Sequence, residues 1–211
     1  EMGLAPKALG QTGKKAPLQY AYHMNAQKFA DYLTDFSTKR GVKHIFANLE
    51  SVEMKDSTTI KSVLLDNGDT LEADLFVDCT GAKALLIEKQ LDVGFEDCSQ
   101  WLLCDRAVTM HVPYDTHYPG MVRPYTTATA LSNGWVWDIP MRDRRSVGYV
   151  HSSQFISEED AKKELIKYQG ENCEDLDIRT VNFKVGRREQ AWKGNCVAIG
   201  LSAGFVEPLE S

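Results

Sequence analysis

The sequence lacks any apolar run long enough to cross a bilayer, and its first twenty residues lack the charged-then-apolar layout of a signal peptide. Basic residues are also fewer than acidic ones: 24 Lys and Arg stand against 30 Asp and Glu, for a net charge of −6. Nucleic acids and anionic membranes are bound mainly through Lys and Arg, so this balance argues against both as partners. We therefore expect a cytoplasmic protein with no nucleic-acid or membrane partner.

Cysteine pairs and metal-ligand spacings are absent as well. The five cysteines are scattered without a C-x-x-C pair, which favours free thiols in a reducing compartment. His111 and His117 lie close in sequence, but no Cys or carboxylate stands at a spacing that would complete a ligand set around them. We expect no metal site and interpret both histidines as ordinary loop or sheet-surface residues.

The sequence has no G-x-G-x-x-G fingerprint, yet two apolar segments end in small residues, ADLFVDCTG (73–81) and VAIGLSAG (197–204). Such strand ends let the backbone approach a flat ligand at the carboxyl edge of an α/β sheet. The alternative for each is a strand that simply ends in a turn. If both belong to one sheet, the strand Cys196 to Ile199 should pack near the strand Ala73 to Cys79.

Local signals predict two helices. Asn25 is a typical N-cap, and apolar residues follow it at helical spacing up to Gly41. Ser157, with Asp160 three residues later, is typical of a capping box before a helix that ends at Gly170.

The middle of the chain is predicted to be mostly β-sheet. The segments TTATAL, WVWDIP and SVGYVHSS are joined by an S-N-G turn and a charged R-D-R-R turn, which indicates a three-stranded antiparallel meander. In an extended strand Trp135, Trp137 and Ile139 would project to one face and form a rigid apolar wall. The alternative is two core tryptophans of an ordinary sheet.

The segment GFVEPLES carries two carboxylates, Glu207 and Glu210, on either side of a proline. A glutamate beside apolar residues is partly desolvated, which raises its pKa and makes it a candidate proton acceptor or hydrogen-bond partner. The alternative is that both residues begin a helix, where acids favour the positive end of the dipole.

Seven segments taken together resemble the flavin-dependent tryptophan halogenase family. The most specific is the W-x-W-x-I-P motif, intact in GWVWDIPM, and EPLES at the end of the last segment is nearly as telling. The segments, in family order, are AYHMNAQKFADYL, LEADLFVDCTGAKALLI, WLLCDRAV, GWVWDIPM, GYVHSS, FKVGRREQAW and NCVAIGLSAGFVEPLES.

The resemblance implies an α/β (α+β) fold in which an FAD-dependent monooxygenase-like flavin domain carries a sheet-rich insert. Residues 1–81 and 194–211 would belong to the flavin domain, and residues 82–193 would form the insert with the tryptophan motif. The chain is expected to be part of a longer enzyme and to be inactive alone, because the family's glycine fingerprint and catalytic lysine lie in a region that it does not contain.

The resemblance also implies the chemistry. Reduced FAD, supplied by a separate flavin reductase, would meet oxygen and a halide ion (chloride or bromide) to form hypohalous acid. The acid would pass through a tunnel to a small electron-rich aromatic substrate such as indole or a tryptophan-like compound. A homodimer is one candidate assembly.

The family's site residues can be carried over to numbered positions. The catalytic glutamate and the serine beside it fall on Glu210 and Ser211, the flavin contacts on Gly200 and Leu201, and a weaker adenine contact on Leu49. The family's motif tryptophans lie between flavin and substrate, which assigns a tunnel wall to Trp135, Trp137, Ile139 and Pro140.

Two other functions share part of this pattern. A flavin-dependent aromatic monooxygenase would share ADLFVDCTG and the second strand end, but that class typically places an Asp after the glycine, where this chain has Leu201. A non-catalytic module that binds flavin or indole could derive from the same fold.

Overall fold

The computed structural model describes residues 21–114, 122–170, 173 and 175–206. The described residues divide into two compact units, one from the described parts of 21–41 and 104–182 and the other from residues 42–103 and 183–206. Each unit is therefore built from two separate segments of chain. The family resemblance implies other domain boundaries and assigns flavin binding to one of the domains. That division stays a prediction.

The described residues form two α-helices, fourteen strands and two short 3₁₀ turns. The helices are α1 (Ala26–Thr38) and α2 (Glu158–Gln169), and the 3₁₀ turns are Gly81–Lys83 and Gly200–Ser202. The strands are β1 (Leu49–Met54), β2 (Ile60–Leu65), β3 (Thr70–Glu72), β4 (Phe76–Asp78), β5 (Phe95–Asp97), β6 (Arg106–Pro113), β7 (Thr127–Leu131), β8 (Gly134–Pro140), β9 (Arg144–His151), β10 (Arg179–Asn182), β11 (Gly186–Arg188), β12 (Trp192–Lys193), β13 (Cys196–Ala198) and β14 (Gly204–Phe205).

The first unit is a five-stranded antiparallel sheet of order β10-β6-β9-β8-β7. The predicted meander is confirmed as β7, β8 and β9. One face of the sheet packs against α2 through Ala161 and Leu165, which share a buried core with Val136, Val147 and Tyr149. Because side chains alternate along a strand, this core also fixes which residues point to the other face.

Both predicted helices are confirmed, and their caps explain where they begin. Asn25 Oδ1 accepts a hydrogen bond from Lys28 N–H at 3.1 Å, and Ser157 Oγ accepts one from Asp160 N–H at 3.1 Å. The helix α2 ends at Gly170, whose φ of 91° suits a residue without a Cβ.

The helix α1 buries none of its side chains among the described residues. Its apolar side is nevertheless well defined by sequence spacing. The large hydrophobic side chains that this helix exposes are Phe29, Tyr32, Leu33 and Phe36.

The second unit contains three small sheets. One is the antiparallel sheet β1-β2-β3, and another joins β5, β11 and β14. The third has the order β12-β13-β4, in which β13 runs parallel to β4 with Cys196 opposite Phe76 and Ala198 opposite Asp78. The prediction that these two strands lie together is confirmed.

The core of the second unit joins its separate segments. Ile60, Phe76, Ile87, Leu91 and Cys196 are among its buried members. Within the ranges that the structure describes, no helix is long and apolar enough to span a membrane.

Candidate functional site

The parallel strands β4 and β13 end at the same edge of their sheet, and each runs into a 3₁₀ turn. Gly81 and Gly200 have φ values of +68° and +64°, which favour glycine. A Cβ added at either position would meet nothing within 4 Å, so space beside the backbone is open. Glycine turns at the carboxyl ends of parallel strands are where α/β folds bind flat, nucleotide-like ligands.

Asp78, the last residue of β4, holds the first turn together. Its Oδ1 accepts hydrogen bonds from the N–H and the hydroxyl of Thr80 at 2.9 and 2.7 Å, and its Oδ2 accepts from Leu86 and Ile87 N–H, both at 2.9 Å. Burial acts to raise the pKa of Asp78, but the bonds from Ile87, Thr80 and Leu86 outweigh it and the pKa is lowered. A buried carboxylate thus stays charged and shapes the loop after β4.

Ser202 and Arg188 hold the second turn. The Ser202 hydroxyl is buried, 2.5 Å from the carbonyl oxygen of Asp78, so it ties this turn to the end of β4. Arg188 Nε donates to the carbonyl of Ser202 at 3.1 Å, and the same guanidinium pairs with Glu88. The two turns are therefore linked by buried hydrogen bonds.

The predicted flavin contacts fall partly on this edge. Gly200 and Leu201 open the second turn, and the Leu201 side chain is 51% exposed. Beside it, Ile199 is equally exposed, so the open glycine is flanked by apolar surface suited to a flat ring. Leu49 lies apart from the turn along the chain, at the start of β1, where it is half-buried and packs against the unit's core.

The tryptophan motif forms β8 in the first unit. Val136, Asp138 and Pro140 are buried, whereas Trp135, Trp137 and Ile139 are half-buried on the opposite face, away from the core with α2. The indole rings of Trp135 and Trp137 have centroids 6.3 Å apart and meet edge to face at 60°. We call these three half-buried side chains the indole wall.

Pro140 alternates to the buried side of the strand, so it is not part of the indole wall. Its carbonyl oxygen accepts a hydrogen bond from His23 Nδ1 at 2.7 Å. The tunnel-wall role that the family resemblance assigns to Pro140 stays a prediction.

Small residues make room for the indole rings. Trp137 pairs with Gly148 on β9 and with Ala128 on β7. A Cβ added to Gly148 would lie 2.1 Å from Cζ2 of Trp137, so the ring rests directly on the glycine backbone. Trp135 pairs with Ala130 on β7 and with the larger Val150 on β9.

A buried charge cluster behind the indole wall was not predicted from the sequence. Asp138 forms a salt bridge with Arg145 at 2.5 Å and another with Arg123. The sequence did contain a signal for it: an acid within a strand of alternating apolar residues, followed by an arginine-rich turn. A charge buried in such a strand must be paired, so a nearby arginine was the expected partner.

Tyr149 supports the turn that precedes Trp135. Its hydroxyl oxygen accepts a hydrogen bond from Asn133 N–H at 3.3 Å. Burial raises the pKa of Tyr149, and a bond to the Glu164 carboxylate raises it further. The indole Nε1 of Trp135 is buried and has no hydrogen-bond partner within the described part of the chain.

The predicted catalytic residues Glu210 and Ser211 lie outside the described residues, as do Glu207 and His117. His111 is on β6, and the pKa of its imidazole is lowered by burial and by nearby arginines. Across the described ranges, no group of three or more His, Cys, Asp or Glu side chains is arranged to hold a metal ion.

The sequence matches the family model of tryptophan halogenases over residues 3–211. Among curated relatives, the chain is 41% identical over 197 residues to the tryptophan 6-halogenase SttH of Streptomyces toxytricini, covering 93% of this chain and 38% of the relative. It is 44% identical over 193 residues to the tryptophan 7-halogenase RebH of Lentzea aerocolonigenes, covering 91% and 36%.

Solved structures agree. A tryptophan halogenase from Shewanella frigidimarina superposes with a TM-score of 0.90 at 37% identity, covering 99% of this chain and 40% of that one. The structure of the S. toxytricini 6-halogenase gives a TM-score of 0.85 at 40% identity, covering 89% and 38%. The fold is thus that of flavin-dependent halogenases, and the chain belongs to the tryptophan halogenase family. It spans about two-fifths of the length of these relatives.

Proposed function

We propose that the protein containing this chain is a flavin-dependent halogenase that acts on an electron-rich arene such as indole or a tryptophan-like compound. The observation that carries the proposal is the indole wall on the sheet face away from the core, in a chain that belongs to the tryptophan halogenase family. Cytoplasmic location, a separate flavin reductase and a homodimer as one candidate assembly belong to the same proposal.

The flavin would be held at the carboxyl edge of β4 and β13. The open glycines Gly81 and Gly200 leave space for a flat ring, and the exposed Leu201 side chain offers apolar contact. Bound reduced FAD supplies the oxidising chemistry that, with oxygen and a halide ion, gives hypohalous acid. In this proposal Leu49 contributes a contact to the adenine end.

The indole wall would confine the arene. Rigid indoles exclude a bulky ring and bulk water, while a small oxidant can still pass, which prevents direct hydroxylation of the substrate by the flavin. Ile139 extends the wall along the strand.

Glu210, next to Ser211, is proposed to act on the arene. A carboxylate there can accept a hydrogen bond from a substrate N–H, or stabilise the cation that forms as halogen adds. The proposal rests on the family match at EPLES and on the apolar residues beside the acid.

The reaction is tested by mixing the whole natural protein that contains this chain with reduced FAD, bromide, oxygen and indole, and weighing the product. We expect the mass of a bromoindole. The mass of a hydroxylated indole would instead identify an aromatic monooxygenase, and unchanged indole would point to a binding module.

Glu210 is tested in the same protein by Glu210→Gln, with Glu207→Gln as the matched control. Removing a group that stabilises the transition state typically costs roughly a hundredfold in rate, so kcat should fall by about that factor in the first variant. Glu207 precedes the proline and suits a helix-start acid, so its loss should lower stability more than rate. Equal kinetic damage in both variants, or greater damage at Glu207, would reject the role given to Glu210.

A further inference from the structure

The buried face of β8 carries a charge that the proposed chemistry does not use. Asp138 stands between Trp137 and Ile139 in sequence, but it points to the opposite face of the strand and is only 1% exposed. A buried carboxylate is costly unless cations or hydrogen-bond donors replace its water. Its presence at the centre of the motif therefore needs a structural reason.

Two arginines from different parts of the sheet meet this carboxylate. Arg145 on β9 binds it through both oxygens, with Nε 2.9 Å from Oδ1 and a terminal nitrogen 2.5 Å from Oδ2. Arg123, in the segment before β7, donates to Oδ2 and also to the Thr127 hydroxyl on β7 at 2.8 Å. One carboxylate thus connects β8 to the strands on both of its sides.

The register of β8 decides which residues form the indole wall. Side chains alternate along a strand, so a slip of one residue would turn Trp137 into the core and Asp138 to the opposite face. Such a slip would also break the ion pair between the buried carboxylate of Asp138 and the buried guanidinium of Arg145. The charge cluster therefore opposes the one displacement that would destroy the wall.

We propose that Asp138 is a positioning residue that, through Arg145 and Arg123, fixes the register and rotation of β8 and so the mutual orientation of Trp135 and Trp137. It touches neither substrate nor flavin in this assignment. Its effect on halogenation rests on the proposed function, whereas its effect on the two indoles does not.

The orientation of the two indoles can be measured directly. Two indoles 6.3 Å apart and inclined at 60° couple their electronic transitions and give a circular-dichroism couplet in the far ultraviolet. The variants Trp135→Phe and Trp137→Phe should each abolish the couplet and so assign it. The measurement is made on the whole natural protein without flavin or substrate.

We expect Asp138→Asn to lose or sharply reduce the couplet while the strand signal remains. Asp143→Asn is the matched control, because it removes the same charge from an exposed position in the neighbouring turn. An unchanged couplet in folded Asp138→Asn would overturn the proposal, and so would an equal loss in Asp143→Asn.

The double variant Asp138→Leu/Arg145→Leu covers the case in which Asp138→Asn does not fold. Replacing a buried ion pair by apolar residues often preserves stability, so this variant should remain folded. If the charge cluster sets the register, the couplet stays weak even when the melting temperature returns to the parental value. A double variant with both the parental melting temperature and the parental couplet would overturn the proposal.

Halogenation gives a second readout in the same variants. A displaced wall should lower the halogenated product formed per flavin oxidised by about tenfold or more, because small misplacements in an active site are costly. If the parental protein makes no halogenated product, the proposed function fails while the couplet still decides the role of Asp138.

Discussion

Gly148 is the residue on which the Trp137 indole rests. A methyl group at this position would lie 2.1 Å from the ring, so Gly148→Ala must displace Trp137 or the strand beneath it. Overpacking of this kind typically costs about 1–3 kcal/mol of unfolding free energy. We expect that loss in urea denaturation, together with a changed tryptophan fluorescence.

The Trp137→Ala background provides the control for this prediction. Without the indole, the added methyl group has no ring to meet, so Gly148→Ala should then change stability little. An equal cost in both backgrounds would show that Gly148 is needed for its backbone rather than for the ring above it.

Cysteine reactivity separates buried from exposed thiols at the level of single residues. Burial and the nearby Asp78 charge raise the pKa of Cys196 to about 11, and its side chain is fully buried. At pH 8 its thiolate fraction is then on the order of 10⁻³, and the thiolate is the reactive form. Brief maleimide labelling followed by peptide mass spectrometry should therefore modify the exposed Cys79 and leave Cys196 and the buried Cys173 unmodified. Rapid labelling of Cys196 in folded protein would contradict the packing of β13.

At the scale of elements, Asp78 makes the loop after β4 sensitive to acid. Its pKa is lowered in the folded protein, so its contribution to stability is present above the unfolded pKa of about 3.9 and is lost as the pH falls through the folded value. We expect the melting temperature to drop below about pH 4. The variant Asp78→Asn should flatten that part of the profile.

The same variant should also destabilise the protein at neutral pH. An asparagine offers one acceptor oxygen where the carboxylate serves four donors, so the buried Leu86 and Ile87 N–H groups would face an amide nitrogen. This costs about 2–5 kcal/mol. Asp74→Asn, which changes an exposed acid just before β4, is the control and should shift neither the profile nor the neutral stability.

Local elements could be predicted from the sequence because their causes are local. Asn25 and Ser157 cap helices through bonds to residues three positions away, and the meander is set by short turns. The parallel pairing of β4 with β13 could also be predicted, since two apolar strands that end in glycine turns suit one sheet edge. The sequence also predicted which motif residues share a face, through simple alternation.

Non-local features could not be predicted in this way. The strands of the sheet β5, β11 and β14 are at most three residues long, and β5 lies about ninety residues before β11 in the chain. Strands this short show no periodic pattern of apolar residues in the sequence. The pairing of Asp138 with Arg145 depends on the register of a hairpin, and the third partner, Arg123, lies outside any regular strand. The placement of Pro140 on the buried side likewise depends on which face α2 covers.

At the scale of the whole molecule, the two units differ in how the chain builds them. The five-stranded sheet and α2 lie wholly within residues 104–182, and so does the core that they share. The other unit needs both of its segments, because β4 and β5 come from residues 42–103 whereas β11, β13 and β14 come from residues 183–206. The buried core there also combines Phe76 and Ile87 with Cys196 and Ala198.

This difference predicts how fragments behave. Residues 104–182 expressed alone should fold cooperatively, with strand-type circular dichroism and the couplet of Trp135 and Trp137, because all sheet hydrogen bonds and the core with α2 are retained.

Residues 42–103 alone should stay unfolded, since β4 loses its parallel partner and the core loses Cys196. Adding a separate peptide of residues 183–211 should restore structure to residues 42–103. A peptide in which Cys196→Asp places a charge in the core is the control and should fail. A melting transition for residues 42–103 alone that equals that of the mixture would show that the second segment is not needed. A featureless spectrum for residues 104–182 would show that the five-stranded sheet and α2 do not fold without the rest of the protein.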